Sequence, residues 1–326
     1  MPIRRHLLAA GLAFLAGLAA GSPVRAQVPD TITLDWAYYN PVSLVLKQEG
    51  WLEEELAADG IAVRWVQSLG SNKALEFLNA ESLDFGSTAG AAALLARINN
   101  NPIRSVWVYS KPEWTALVTR PDSGIARVED LKGRRVAATK GTDPFIFLLR
   151  ALETHGLAAS DVDLVLLQHD QGRLALERGD VDAWAGLDPM MADVELSRGY
   201  PLFHRDPDAN TYGVLNVRES FAAEHPELVR RVLAVYERGR QWALKDPKAL
   251  TALLASTARL PEAVAARQIE RTQFVDPQPG AAQRETILAA GQALQGAGVI
   301  KPDVDVAAAV AGLLDPSFAT RIAAAP

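Results

Sequence analysis

Cysteine is absent from the 326-residue chain. Its absence excludes a disulfide framework, a thiolate metal site and a cysteine nucleophile. It also excludes the lipid-modified cysteine that would anchor an exported bacterial protein behind its signal peptide. Disulfides are not required for stability at this size, because a chain of roughly 300 residues can bury about three quarters of the surface that it exposes when unfolded.

Catalytic motifs are scarce as well. The five histidines are scattered, at positions His6, His155, His169, His204 and His225. They lack metal-site spacing, and the chain has neither a G-x-S-x-G elbow nor a P-loop. Only His169, between a predicted strand and a predicted helix, is placed like a binding residue. An enzyme remains an alternative because Asp143 and Asp188 could support acid–base chemistry, but no base–nucleophile pair accompanies them. We therefore predict a protein without catalytic activity.

Positive charge is limited, since 33 Lys and Arg residues oppose 39 Asp and Glu residues and no basic block is present. We therefore do not expect nucleic acid or an anionic membrane to be a partner.

A long apolar run occurs once, over residues 7–20. Arg4 and Arg5 precede it, and small residues follow at Val24 and Ala26, which predicts a signal peptide over residues 1–26 and a periplasmic location. The run is shorter than the ~20 residues that span a bilayer, although a short membrane anchor stays an alternative. The sequence leaves open whether export uses the general or the twin-arginine route. Without residues 1–26 the chain has 30 basic and 39 acidic residues, a formal charge of −9.

Strand-like and helix-like segments alternate along the rest of the chain. Strands are predicted over residues 32–39, 61–67, 83–87, 103–110, 115–119, 134–140, 162–167, 181–186, 200–204 and 212–217. This alternation is typical of βαβ units on a mainly parallel sheet. The helix after the first strand is expected to continue to Gly60, and the chain after residue 217 is expected to be nearly all helical.

The alternation occurs in two blocks, which predicts an α/β protein of two lobes. Lobe 1 would comprise residues 27–117 and 215–326, and lobe 2 residues 118–214. The segments 115–119 and 212–217 are predicted to cross between the lobes. Two crossovers make a hinge, and the cleft between the lobes is the expected binding place.

Four junctions between a strand and the next helix share a polar pattern. Asn40, Asp143 and Asp188 each precede a proline, which predicts an Asx cap followed by proline at the first helical position. Ser87 and Thr88 would cap a fourth helix through their hydroxyl groups. Ligands of open α/β sheets bind beyond the carboxyl ends of strands, where helix N-termini carry partial positive charge. We therefore expect these junctions to line the cleft, although local capping explains each of them without a ligand.

Aromatic residues accompany these strand ends. They are Trp36, Tyr38, Tyr39, Trp114 and Trp184. Their flat apolar faces and hydrogen-bonding edges suit a ligand cleft. Packing in the core is the alternative interpretation for each of them.

Four segments resemble one family of proteins. They are SLDFGSTAG (residues 82–90), LKGRRVAATKGTDPFIFLLRAL (131–152), GDVDAWAGLDP (179–189) and AEHPELVRRVL (223–233). In this order they resemble the solute-binding proteins of ABC importers, in the branch with receptors for aliphatic sulfonates, taurine and nitrate. The resemblance implies a type II periplasmic-binding-protein fold that closes over one small solute and delivers it to a permease in the inner membrane. It implies a monomer without a cofactor.

The resemblance also implies a set of ligand-binding residues. Ser87 and Thr88 would bind an anionic head group. The remaining residues of the implied cleft are Tyr38, Tyr39 and Asn40 from the first lobe, and Gly141, Thr142, Asp143, Trp184 and Asp188 from the second.

One position departs from the family pattern. Sulfonate receptors often carry hydroxyl residues where this chain has Asp143, and a carboxylate there would repel a sulfonate placed on the same helix. We therefore hypothesise a two-ended ligand, with its anionic end on lobe 1 and an amine or N–H donor near Asp143 and Asp188. An aminosulfonate such as taurine and a nitrogen heterocycle such as a pyrimidine both fit, and nitrate remains open. A periplasmic sensor that binds the same ligand is a further alternative.

Overall fold

The computed structural model of the protein describes residues 28–319, so the predicted signal peptide lies outside the described residues. The strands are β1 (Thr31–Trp36), β2 (Ala62–Gln67), β3 (Phe85–Ala89), β4 (Ile103–Pro112), β5 (Leu117–Thr119), β6 (Arg135–Ala138), β7 (Asp163–Leu166), β8 (Ala183–Ala185), β9 (Leu202–His204), β10 (Gly213–Arg218) and β11 (Thr272–Gln273).

Helices connect the strands and form most of the chain after β10. They are α1 (Pro41–Glu49), α2 (Trp51–Leu56), α3 (Ser71–Asn79), α4 (Gly90–Ile98), α5 (Asp143–Thr154), α6 (His169–Arg178), α7 (Met190–Arg198), α8 (Glu219–Glu224), α9 (Pro226–Lys245), α10 (Pro247–Ala258), α11 (Glu262–Glu270), α12 (Ala281–Gly296) and α13 (Val306–Leu313). Within residues 28–319, no helix combines the length and the apolar character that crossing a bilayer requires.

The strands form two sheets. The first has the order β11-β4-β10-β3-β1-β2, and the second has the order β7-β6-β8-β5-β9. In the first sheet, β1 pairs in parallel with β2 and β3, whereas β10 runs antiparallel between β3 and β4. In the second sheet, β6 pairs in parallel with β7 and β8, and β5 runs antiparallel to β8 and β9. The predicted α/β class with two sheets is confirmed, but both sheets are mixed rather than mainly parallel, because β10 and β5 run antiparallel to their neighbours.

The chain changes sheet twice, between β4 and β5 and again between β9 and β10. Strand β5 itself belongs to the second sheet and β10 to the first, so the crossing segments are residues 113–116 and 205–212. The predicted crossings at 115–119 and 212–217 overlap these segments only at their first residues. We propose that the two sheets mark the two lobes, with boundaries near residues 117 and 215 as the sequence predicts.

One predicted helix is divided in two. The helix expected to run to Gly60 ends at Glu49 because Gly50 adopts a left-handed conformation with φ of 67°, where glycine carries no steric penalty. Trp51 then begins α2. The break lets α1 and α2 each turn an apolar face inward, burying Leu46 and Leu52.

Candidate ligand-binding cleft

A cavity of about 420 Å³ lies where the two sheets face each other. Its lining residues are Tyr38, Tyr39, Ser68, Leu69 and Lys73 from the first-sheet side, Gln168, His169, Asp170, Gln171, Leu187, Asp188, Pro189 and Met190 from the second-sheet side, and Ala258 and Leu260 at the end of α10. We call it the outer cavity. Its walls come from both sheets, so a molecule held there would contact both halves of the protein.

A second cavity, of about 10 Å³, adjoins the first and is called the inner cavity. Tyr39, His169 and Leu187 line both of them. The other residues of the inner cavity are Ser71, Trp114, Thr142, Asp143 and Pro144. The inner cavity therefore lies against the first turns of α3, α5 and α6.

These three helices begin without a side-chain cap. Gly70 precedes α3, Thr142 precedes α5 and Gln168 precedes α6, and none of the three accepts a capping hydrogen bond through its side chain. The first backbone N–H groups of an α-helix have no partner within the helix, so these helix starts can donate hydrogen bonds to a ligand. The junction at Gly70 was not among those predicted, because it contains neither an Asx residue nor a proline.

A buried carboxylate that the sequence analysis missed lies beneath the first-sheet wall. Asp35 of β1 is fully buried, and its Oδ1 accepts hydrogen bonds of 2.8 Å from both the backbone N–H and the hydroxyl of Ser87. The hydroxyl of Ser68 donates to Oδ2. Burial raises the pKa of Asp35 from 3.8 to about 7, against the lowering effect of these donors. The sequence signal for this site was an acidic residue inside an apolar strand.

The predicted roles of Asn40, Ser87 and Thr88 need correction. Ser87 and Thr88 are fully buried inside β3 and do not cap α4, whose first turn is capped by the Thr211 hydroxyl accepting from the N–H of Ala91 at 3.2 Å. The Ser87 hydroxyl donates to Asp35 and accepts from Asn40 Nδ2 at 2.8 Å, and Thr88 donates to the carbonyl of Ala89. Neither hydroxyl lines the outer or the inner cavity.

Asn40 does cap α1, as predicted, by accepting from the N–H of Ser43. It is fully buried and its Nδ2 is held by Ser87, so it does not line either cavity of the cleft.

Asp143 does not cap α5 and instead joins this helix to both crossing segments. Its Oδ2 accepts from Trp114 Nε1 at 2.8 Å and from the backbone N–H of Thr211 at 2.9 Å, and its Oδ1 accepts from the Thr211 hydroxyl at 2.5 Å. Thr142 is the N-terminal flanking residue of α5, so Asp143 is already the first helical residue. Burial raises the pKa of Asp143 from 3.8 to about 6. The protein itself thus supplies three donors to the carboxylate that was expected to meet a ligand amine.

Asp188 is likewise engaged by the protein. Its Oδ1 accepts from the N–H of Ala192 at 2.9 Å, which confirms the predicted capping of α7, although Pro189 lies just before the helix rather than in it. Arg271 approaches both carboxylate oxygens at 3.4 Å and also pairs with Glu195 at 2.5 Å. Burial raises the pKa of Asp188 from 3.8 to about 7, and the charge of Arg271 opposes this rise.

The predicted aromatic residues are divided between the cleft and the core. Tyr38 and Tyr39 line the outer cavity, and Trp114 lines the inner one, in edge contact with Tyr39 at a centroid distance of 6.1 Å. Trp184, in the middle of β8, is fully buried against Val118, Leu176 and Met191 and lines neither cavity, so the structure places it in the core instead of the cleft. Trp36 lies beside Tyr38 and lines neither cavity, with the Lys47 amine 5.3 Å from its ring centroid.

The predicted second-lobe loop does reach the cleft. Gly141 has φ of 78°, a left-handed conformation that favours glycine, and the following Thr142 lines the inner cavity. The Thr142 hydroxyl donates to the carbonyl of Thr139 at 2.6 Å, which fixes the turn before α5.

His169 lies at the centre of the cleft, as its position between a strand and a helix indicated. It is the first residue of α6, is 2% exposed and lines both cavities. Burial lowers the pKa of His169 from 6.5 to about 3, so the ring is neutral at neutral pH. Within residues 28–319, no group of three or more His, Asp or Glu side chains is arranged to hold a metal ion.

Comparison with known proteins adds a family to this geometry. The model of the family described as "NMT1/THI5 like" matches residues 42–250. A putative aliphatic sulfonates-binding protein of Escherichia coli is 27% identical over 82% of this chain and 83% of its own length. A protein of the same description from Bacillus subtilis is 28% identical over 61% of each chain, so the match spans less than two thirds of that relative.

A solved structure supports the fold. The alkanesulfonate-binding protein SsuA from Xanthomonas axonopodis pv. citri, bound to MOPS, superposes with a TM-score of 0.79 at 25% identity, covering 87% of this chain and 99% of that one. The predicted periplasmic-binding-protein fold is thereby confirmed. These relatives are binding proteins. Another relative is an enzyme, the 4-amino-5-hydroxymethyl-2-methylpyrimidine phosphate synthase of Aspergillus parasiticus, which is 24% identical over 65% of this chain and 65% of its own length.

Proposed function

Since the chain belongs to the NMT1/THI5-like family, we propose that it is the substrate-binding subunit of an ABC importer that captures a small sulfonate or aminosulfonate. The observation that carries this proposal is the outer cavity of about 420 Å³, whose walls come from both sheets. A solute there is bound by both halves at once. The similarity to binding proteins for aliphatic sulfonates supports the choice of ligand class.

The start of α3 is the proposed site for the sulfonate group. Its first backbone N–H groups lack a side-chain cap. Ser71 accepts from the N–H of Ala89 through its oxygen at 3.0 Å, which leaves its hydroxyl hydrogen available to donate. Lys73 lines the outer cavity two residues further along the helix, with its amine 2.6 Å from Glu76. Backbone donors, a hydroxyl and an ammonium group are the chemistry that an anionic oxygen cluster requires.

Binding would be coupled to closure of the two lobes. Contacts already join the two sides around the cavities, including Asn72 Nδ2 to Gln168 Oε1 at 3.4 Å and Arg267 to Glu195 at 2.9 Å. A ligand that contacts both walls stabilises the closed arrangement by its differential affinity for that arrangement. The closed surface would then dock on a permease in the inner membrane, with the protein exported to the periplasm by its predicted signal peptide and acting as a monomer.

A ligand panel tests this function on the mature protein, residues 27–326. Thermal unfolding is measured with alkanesulfonates, taurine, nitrate, pyrimidines and simple amines. A ligand at 100 times its dissociation constant stabilises the folded state by about 2.7 kcal/mol, and we expect such a shift with sulfonates.

Two variants locate the site. Lys73→Met should weaken sulfonate binding, whereas Lys132→Met should not, because Lys132 is exposed and pairs with Asp161 away from both cavities. Stabilisation by nitrate or pyrimidines without any effect of sulfonates would refute the proposed ligand class.

A further inference from the structure

Two buried hydrogen-bond acceptors converge at the point where the lobes meet. Within residues 28–319, Nε2 of His169 and Oδ1 of Asn72 are buried atoms without a hydrogen-bond partner. A Cβ atom built on Gly70 would lie 3.0 Å from His169 Nε2 and 2.9 Å from Asn72 Oδ1. The two acceptors are therefore close neighbours, one supplied by α6 on the second-sheet side and the other by α3 on the first-sheet side.

The hydrogen bonds around His169 fix which of its nitrogens is the acceptor. The Thr139 hydroxyl donates its only hydrogen to the carbonyl of Leu167 at 2.8 Å. Its oxygen can therefore only accept from His169 Nδ1, which lies 3.1 Å away. Nδ1 therefore carries the hydrogen and Nε2 carries the lone pair. Because burial lowers the pKa of His169 to about 3, Nε2 remains an acceptor across the neutral range.

Asn72 is oriented by a contact across the same junction. Its Nδ2 donates to Gln168 Oε1 at 3.4 Å, which leaves Oδ1 as the free end of the amide. Gln168 directly precedes His169 and caps no N–H group of α6 through its side chain. The two acceptors thus belong to a pair of neighbouring helix starts, and His169 lines both cavities beside Ser71 and Lys73.

We propose that His169 Nε2 and Asn72 Oδ1 bind an N–H donor of the ligand, so that the site selects aminosulfonates over sulfonates of equal size without such a donor. This inference rests on the proposed function, which places the sulfonate at the start of α3. In this proposal the two acceptors, rather than Asp143 and Asp188, bind the ligand's amine. The oxygens of both aspartates already accept hydrogen bonds from the protein.

The selectivity follows from the cost of leaving polar atoms unpaired. A buried acceptor without a donor destabilises the closed arrangement, and a ligand N–H group removes that penalty. A methyl group in the same position leaves both acceptors unpaired, and sites built around a ligand N–H reject analogues that lack it. The ligand's amine would thereby favour closure, while its sulfonate provides the attraction common to the whole class.

Taurine and 1-propanesulfonate form a matched pair of ligands, because they differ only by an ammonium group in place of a terminal methyl. Isothermal titration of the mature protein gives the dissociation constant of each. We expect the wild-type protein to bind taurine at least about tenfold more tightly than 1-propanesulfonate, as a hydrogen bond to a charged group predicts.

Three variants and one control test the two acceptors. His169→Phe and Asn72→Leu should each reduce the ratio of the taurine affinity to the 1-propanesulfonate affinity towards unity. His169→Gln retains an acceptor near the position of Nε2 and should keep most of the preference. His155→Phe is the control, since His155 follows the last residue of α5, bonds to the carbonyl of Ala151 at 2.8 Å and lines neither cavity.

The outcomes separate this inference from the proposed function. If the wild-type protein binds both sulfonates equally, or if His169→Phe and Asn72→Leu weaken both ligands to the same extent, the two acceptors do not select the amine and the inference is wrong. If neither sulfonate binds the wild-type protein, the proposed function fails first. Circular dichroism of each variant identifies a misfolded protein, and the two substitutions on separate helices provide independent tests.

Discussion

The buried carboxyl of Asp35 predicts an unusual dependence of stability on pH. Its pKa is raised from 3.8 to about 7, because burial outweighs the hydrogen bonds that Ser68 and Ser87 donate to its oxygens. Between these two values the folded state holds a proton that the unfolded state has released. The free energy of unfolding must therefore fall as pH rises from about 4 to about 7, and this contribution is flat above that range.

The size of the effect follows from the same values. A rise in pKa from 3.8 to about 7 corresponds to about 4 kcal/mol of free energy in total. Most of that range is accessible between pH 5 and pH 8, where Asp35 alone should reduce the free energy of unfolding by roughly 2–3 kcal/mol. Asp143 and Asp188, whose pKa values are also raised, likewise lower the free energy of unfolding as pH rises. His169, whose pKa is lowered to about 3, raises the free energy of unfolding as pH rises to 6.5.

A comparison of variants isolates the contribution of Asp35. Asp35→Asn keeps an oxygen to accept from Ser87 and places an amide next to Ser68, but it cannot ionise. Urea unfolding of wild type and variant at pH 5, 6, 7 and 8 gives the free energy of unfolding of each. Between pH 5 and pH 8 the free energy of unfolding of the variant should decline by roughly 2–3 kcal/mol less than that of the wild type, because the contributions of all other groups cancel in the difference.

Asp143→Asn is the matched comparison. The pKa of Asp143 is raised only to about 6, so the decline in the free energy of unfolding that it causes is complete at a lower pH and amounts to roughly 1 kcal/mol between pH 5 and pH 8. Both carboxyl groups are buried and accept three hydrogen bonds, but the charge of Arg150 additionally lowers the pKa of Asp143. Parallel pH curves for wild type and Asp35→Asn would refute the reasoning, since they would require Asp35 to be ionised throughout.

Two further substitutions test the contacts that hold the lobes together. Trp114→Phe removes the Nε1 donor to Asp143 and should lower the free energy of unfolding by ~1–3 kcal/mol, with a larger loss at pH 8 than at pH 5 because the donor favours the ionised carboxylate. Arg271→Gln leaves Asp188 buried without its cation and should lower the free energy of unfolding by about 3–5 kcal/mol at pH 8, and by less at pH 5. Urea unfolding at both pH values measures this free energy for each variant. Losses that do not depend on pH would contradict both assignments.

Much of the fold could be predicted from the sequence because it depends on local patterns. The alternation of apolar strands and helices identified both sheets, and most strand boundaries differ from the prediction by one or two residues. The features that the prediction did not contain have causes that the apolar pattern does not show. Gly50 divides α1 from α2 through a left-handed conformation, and β10 enters the first sheet between β3 and β4 from far along the chain.

The site was less predictable because its geometry depends on contacts distant in sequence. The hydroxyls of Ser87 and Thr88 are buried inside β3, where β10 covers one edge of that strand and Asn216 donates to Thr88. Asp143 was read as a cap because it precedes a proline, yet its partner Thr211 lies 68 residues away. No local pattern reveals such a partner, so the sequence could not show that Asp143 accepts its hydrogen bonds from the crossing segments.

The helix starts explain why the predicted rim differs from the observed one. An Asx or hydroxyl cap satisfies the first N–H groups of a helix, so a well-capped helix start has little left to offer a ligand. Three of the helices that directly follow a strand donate to a side-chain oxygen: α1 is capped by Asn40, α4 by Thr211 and α7 by Asp188. The helices that meet at the inner cavity, α3, α5 and α6, begin after Gly70, Thr142 and Gln168 without one.

Strand-to-helix junctions without a capping side chain are therefore a further indication of the proposed site, although α8 also begins without one and lines neither cavity. By that criterion the sequence SLGSNK, in which Gly70 cannot cap α3, would have pointed to the cleft. The structure places the ring of His169, the first residue of α6, across the junction from Gly70. Strong caps secure the helices that frame the cleft, and the uncapped starts leave backbone donors for the solute.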